Sequence, residues 1–174
     1  MCLESAYYDT CVFLESFNRG HKEYEACIRL LNTEQITWSV RFCAELCSGE
    51  SSIGEYISNF EINCVMNGIE AINIPISNAK KTSKKYPTLK RTLNQKGFGG
   101  RDWTHLMAAV ASESQVFCTT DLDFWDPANK RTAKAKVRRI AVQREIESIL
   151  PIRIYLPSEA LESRCEECEE NTLE

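Results

Sequence analysis

Apolar and polar positions along the chain change period several times, and each change marks an element. Residues 5–8 (SAYY) form a short aromatic run that stops at a carboxylate, Asp9, as a buried strand would. Residues 21–31 then place Tyr24, Cys27, Ile28 and Leu31 at helical spacing. Residues 36–39 (ITWS) are β-rich again, and 40–47 and 53–62 carry helix-spaced apolar residues with a break near Ser48 and Gly49. Residues 72–76 (INIPI) suit a third short strand, with Pro75 confining it to an edge or a strand end.

Lys80 to Leu93 reads as helical apart from Pro87, and residues 96–100 (KGFGG) as a flexible, cationic loop. After Asp102, the residues Trp103, Leu106, Met107 and Val110 repeat at i, i+3, i+4 and i+7, an amphipathic helix. Residues 116–120 (VFCTT) predict a strand that ends at a second carboxylate, Asp121. A basic helix is predicted over 130–150, with Ala133, Val137, Ile140 and Ala141 on one side, and a last strand over 152–156 (IRIYL), closed by Pro157. From Ser158 the chain is Glu-rich and poor in large apolar residues, which predicts a mobile tail over 158–174. Strands alternating with helices give an α/β domain over 1–157, with a mostly parallel sheet covered on both faces.

A length of 174 residues with 43% hydrophobic positions suits one such domain. There is no run of apolar residues long enough for a membrane span and no signal peptide at the start, so a soluble, cytoplasmic protein is expected, with no membrane partner. The nine cysteines are odd in number and irregular in spacing, which favours reduced, mostly buried thiols. Cys165 and Cys168 form a lone CxxC, and zinc would need two further ligands at a recognisable spacing.

The net charge of -4 hides a segregation that changes the picture. Residues 80–101 carry eight Lys or Arg and no acid, 130–144 carry seven and no acid, and 159–174 carry seven Glu against one Arg. Acid-free basic stretches of this kind suit a phosphate backbone, and equally suit solvated helix faces. The acidic tail is by default a solubilising end; a sharper expectation is that it lies over the basic stretches and competes with nucleic acid.

In a parallel sheet, ligand sites collect beyond the C-terminal ends of the strands. Asp9 and Asp121 fall there, Glu45 lies just past the second strand, and Asp102 opens a helix. Four carboxylates brought together would resist full ionisation without a cation. Carboxylates without His or Cys suit Mg²⁺ or Mn²⁺, and such ions support phosphodiester cleavage.

Four segments, in order, carry a family resemblance: Asp9 to Leu14 (DTCVFL), Ser39 to Leu46 (SVRFCAEL), Arg101 to Ala109 (RDWTHLMAA) and Phe117 to Phe124 (FCTTDLDF). Together they resemble the motifs of PIN-domain ribonucleases. The resemblance implies a three-layer α/β/α sandwich and an endoribonuclease in which Asp9, Glu45, Asp102 and Asp121 are catalytic and hold Mg²⁺ or Mn²⁺, with Asp123 auxiliary. Thr10, Ser39 and Thr120 would support the acids, and Lys90, Arg91, Lys96 and Arg101 would contact RNA. Many small PIN proteins are the toxin halves of toxin-antitoxin pairs, so an antitoxin-like inhibitory protein and a homodimer are expected partners. The basic helix and acidic tail depart from the shorter toxins.

Plainer readings stand beside these. Asp102 suits a helix N-cap, Glu50 competes with Glu45, and Asp126 lies close to Asp121. His105, one turn after Asp102 among apolar residues, reads as packed or supporting rather than catalytic, and Cys11 and Cys118 as core thiols. The alternative function is a catalytically silent PIN-like module that binds RNA or a protein. An aspartyl phosphatase would want a second Asp where Cys11 stands.

Overall fold

In the computed structural model the described residues are 6–32, 35–39, 70–96, 98–121, 124 and 142–170, with backbone alone at 35–39, 70–73 and 164–170. Five parallel strands, β1 (Ala6–Tyr8), β2 (Gln35–Ser39), β3 (Glu70–Ile74), β4 (Val116–Cys118) and β5 (Arg153–Tyr155), form one sheet in the order β3-β2-β1-β4-β5. The helices are α1 (Thr10–Glu15), α2 (Tyr24–Leu31), α3 (Ile76–Ser83), α4 (Pro87–Gln95), α5 (Gly100–Ala111), α6 (142–149) and α7 (Pro157–Glu170).

Every residue of β1 and β4 is buried, so these runs are apolar throughout rather than alternating with polar positions, as a sheet covered on both sides requires. Their side chains still divide by parity. Tyr7 and Phe117 enter one cluster with Ala79 of α3, Leu89 and Leu93 of α4, Leu106 and Met107 of α5, and Val142 and Ile146 of α6. Ala6, Tyr8, Val116 and Cys118 enter the other, with Val12 and Phe13 of α1, Leu30 of α2 and Ala160 of α7. The expected α/β class with a parallel sheet between two helical layers is therefore what the chain adopts. Cys11, Cys27 and Cys118 are free thiols, as expected. Among the described residues no helix is long and apolar enough to cross a membrane.

Local chemistry sets the boundaries, and several differ from the pattern-based ones. Asp9 caps α1 by accepting the Thr10 N–H, starting a six-residue helix that periodicity cannot register. Pro75 ends β3 and precedes α3, and Pro87 opens α4 at its first turn, where no N–H is needed. Within the stretch expected as a flexible loop, Phe98 is buried with its ring 4.9 Å from that of Phe124. On the outer edge of the sheet, Glu147 accepts the Ile154 N–H at 2.8 Å and Gln143 donates to the Ile154 carbonyl at 3.4 Å. Two α6 side chains thus occupy backbone groups that another strand would take.

The acidic C-terminal segment starts as helix, not as a mobile tail. Ala160 is buried, α7 packs on α2, and the buried Glu23 carboxylate accepts the Ser158 N–H at 2.9 Å. These first turns lie on the face of the sheet opposite α3 and α4, so they do not cover the basic helices. Replacing Glu23 with Ala leaves a helix-start N–H unsatisfied, and the expected loss is about 1–3 kcal/mol. Faster tryptic cleavage at Arg164 and a lower melting temperature are the expected readouts; no change in either contradicts the docking. The predicted helices at 40–47 and 53–62 and the basic residues 130–141 lie outside the described residues.

Candidate active site

Asp9 follows the last residue of β1, and the register with β4 decides what stands beside it. Tyr7 pairs with Phe117 and Tyr8 with Cys118, so extending the register by one position places Thr119 next to Asp9. The Asp9 N–H continues the ladder to the Cys118 carbonyl at 3.0 Å. Asp9 is 6% exposed, and its carboxylate is held at both oxygens. Oδ1 accepts the Thr10 N–H at 2.7 Å, while Oδ2 accepts the Thr119 hydroxyl at 2.8 Å and the Cys11 thiol at 3.1 Å. Burying a carboxylate is costly unless donors replace water, and three do so here.

Proton accounting makes this a directional network. The single hydroxyl proton of Thr119 goes to Asp9, so its lone pairs accept the Asp121 N–H at 2.9 Å. Cys11 donates to Asp9 and accepts the Thr120 N–H at 3.3 Å. Burial first, and the Asp9 charge second, push the Cys11 thiol well above its ordinary pKa, which keeps it a neutral donor to Asp9. Beneath Asp9 lies His105 of α5, 2% exposed, with Nδ1 2.8 Å from the Tyr7 hydroxyl and Nε2 3.4 Å from Thr10 Oγ1 and 3.9 Å from Asp9 Oδ1.

The other expected acids are placed less closely. Asp121 is half-buried, and its backbone is tied to Asp9 through Thr119. Asp102 is the third residue of α5 rather than its cap, and its carboxylate accepts the Gly99 N–H at 3.1 Å. A Cβ on Gly99 would lie 2.6 Å from Asp102 Oδ2, so glycine is what permits this closure. Glu45 and Asp123 lie outside the described residues, and of Ser39 the backbone alone is described, as the last residue of β2. Among the described residues no three His, Cys, Asp or Glu side chains are gathered to hold a metal ion. The donor set at Asp9 and Asp121 therefore fits Mg²⁺ or Mn²⁺ in kind, being carboxylate oxygen, and falls short in number within the described part.

One supporting hydroxyl shifts by a residue. The hydroxyl that holds Asp9 belongs to Thr119, whereas Thr120 is buried and contributes its backbone N–H to Cys11. Parity carries the missed signal: residues 7, 9, 117 and 119 share a sheet face once Tyr7 is paired with Phe117. Cys11, expected as a thiol adjoining the site and not a nucleophile, is a direct partner of Asp9.

The expected phosphate contacts also divide. Lys96 pairs with Glu145. Lys90 and Arg91 are exposed and, with Ser83, Lys84, Pro87, Asn94 and Gln95, line an open groove of about 570 Å³ between α3 and α4. Pro87, Lys90, Arg91 and Asn94 share one face of α4, and Leu89 and Leu93 are buried on the other. The Trp103 indole N–H donates to Ser83 Oγ at 2.8 Å and joins this groove to the start of α5, where Arg101 is exposed.

The sequence matches no protein-family model and no curated protein. Solved structures do resemble it. VapBC2 from Rickettsia felis, bound to a DNA fragment from its promoter, is 17% identical, with a TM-score of 0.52 over 87% of this chain and 97% of that one. DNA-bound VapBC from Salmonella typhimurium is also 17% identical, with a TM-score of 0.52 over 88% of this chain and 98% of that one. At this identity the likeness is one of fold, and the fold is PIN-like.

Proposed function

We propose that this chain is a Mg²⁺- or Mn²⁺-dependent endoribonuclease that hydrolyses RNA phosphodiester bonds at Asp9, Glu45, Asp102 and Asp121, with Asp123 auxiliary. One observation carries the reading: Asp9, buried at the C-terminal edge of a parallel sheet, is held by three donors, one of which also anchors Asp121. The cap and the hydrogen bonds account for a carboxylate's stability at this position, and its place at the strand end beside Asp121 is what points to chemistry. When bound, Mg²⁺ or Mn²⁺ supplies Lewis acidity and an activated water at such carboxylates. The chain's own part is positional. Thr10, Cys11 and Thr119 fix the Asp9 oxygens, Asp121 stands two residues past Thr119, and Lys84, Lys90, Arg91 and Arg101 hold the strand by its phosphates.

An antitoxin-like protein partner, a homodimer and the role of a cytoplasmic toxin belong to the same proposal, because the two solved structures named above are VapBC complexes. A second reading, a catalytically silent module that binds RNA, is favoured by the exposed cations of the groove, which suit phosphates without any metal.

The groove supplies a test that both readings share and a result that separates them. Lys90→Glu together with Arg91→Glu should weaken RNA binding about 10–100-fold at low salt and lower the salt slope by about two, with the melting temperature unchanged. Unchanged affinity would remove the groove from the account. Wild type that binds RNA through this groove and cleaves none of it in Mn²⁺ would select the silent module.

A further inference from the structure

The imidazole below Asp9 has no packing reason to be there. His105 sits among Leu106, Met107, Ala108 and Ala109, all fully buried, and the Tyr7 ring stacks on Phe117 with centroids 5.6 Å apart. Phenylalanine at 7 would keep that stack, and leucine at 105 would fill the same core. The hydrogen bond between the two adds little net stability over apolar groups of like shape, while Nε2 also stands 3.4 Å from Thr10 Oγ1 and 3.9 Å from Asp9 Oδ1.

Position supplies the reason. Tyr7 and Asp9 share a face of β1, and α5 carries His105 across from both. A neutral imidazole has one donor nitrogen and one acceptor nitrogen. The carboxylate oxygen 3.9 Å from Nε2 favours the proton on that nitrogen, which leaves Nδ1 to accept the Tyr7 hydroxyl at 2.8 Å. The Nε2–H then faces Thr10 Oγ1 and Asp9 Oδ1, on the side of the carboxylate opposite Thr119 and Cys11.

We propose that His105 is a positioning residue for Asp9, with Tyr7 setting the imidazole tautomer, so that the pair governs turnover and not substrate affinity. The inference rests on the ribonuclease reading for its kinetic consequence, while the tautomer itself does not depend on that reading.

Two substitutions at 105 separate position from packing. The terminal amide of Gln reaches the place of Nε2, whereas that of Asn reaches the place of Nδ1. His105→Asn should lower kcat about 10–100-fold with KM changed by no more than about twofold, His105→Gln should recover most of the loss, and Tyr7→Phe should lower kcat less than His105→Asn. The double variant Tyr7→Phe/His105→Leu should melt within a few degrees of wild type and turn over as slowly as His105→Asn. Equal kcat for His105→Gln and His105→Asn, or a loss confined to melting temperature, overturns the inference. If the wild type cleaves no RNA, the functional reading fails, and nitrogen NMR of the histidines at about pH 8, above the ordinary histidine range, still decides the tautomer. An Nε2–H form for His105 that becomes mixed in Tyr7→Phe supports the inference, and an Nδ1–H form in the wild type overturns it.

Discussion

Asp9→Asn is expected to reduce RNA cleavage on the order of 10²–10³-fold or more while leaving the fold in place, since several kcal/mol of charge stabilisation at the reacting phosphate would be lost with the carboxylate. Asparagine has nearly the same shape, and its carbonyl can still accept the Thr10 N–H that caps α1. The new amide faces the Thr119 hydroxyl and the Cys11 thiol, both of which now donate to Asp9 and must turn to accept. That rearrangement costs about 1–3 kcal/mol, or roughly 2–12 °C in melting temperature for a domain of this size. Asp9→Ala is the less informative variant, because it strands buried donors and mixes instability with lost chemistry. Cleavage by Asp9→Asn within about threefold of wild type would remove Asp9 from the reaction.

Phe117→Ala should produce the largest loss of stability. Phe117 is fully buried in β4, its ring lies 5.6 Å from Tyr7 and 5.0 Å from Phe124, and it is the register partner of Tyr7. Truncating such a ring costs about 3–5 kcal/mol, or roughly 6–20 °C in melting temperature for a domain of this length. The same truncation loosens the Tyr7 ring beside His105, so residual activity should fall more than the folded fraction does. Calorimetry checks the first part and activity per folded molecule the second. A loss below about 1 kcal/mol would contradict the placement of Phe117 at the centre of the core.

The α/β layering was legible because its signals are local: short apolar runs, two of them stopping at an acid, and one long amphipathic segment from Trp103 to Val110. Asp9 and Asp121 were legible as strand-end carboxylates for the same reason. What was not legible depends on pairing or on cap geometry. Choosing Thr119 over Thr120 needs the β1–β4 register, a contact across 110 residues. Placing α5 one turn of backbone ahead of Trp103 turns Asp102 from a helix-opening residue into one that reaches back to Gly99. α1 is too short for a period, and its cap is the candidate acid itself.

Composition misled in two places. The Glu-rich run after Ser158 hides Ala160 and the docking to Glu23, which lies 135 residues away from its partner. Lys96 reads as one more cation in an acid-free stretch, and its partner, Glu145, is 49 residues further on. In each case a residue far along the chain satisfies a group that local sequence leaves open.

The central claim is metal-dependent hydrolysis of RNA, and the most direct measurement is cleavage of a mixed set of labelled single-stranded and structured RNAs by the pure wild type in Mn²⁺, in Mg²⁺ and in EDTA. Cleavage is expected in one or both metals, none in EDTA, with recovery when metal is returned. Salt-sensitive binding with no cleavage under any of these conditions, or cleavage that EDTA leaves untouched, would contradict it.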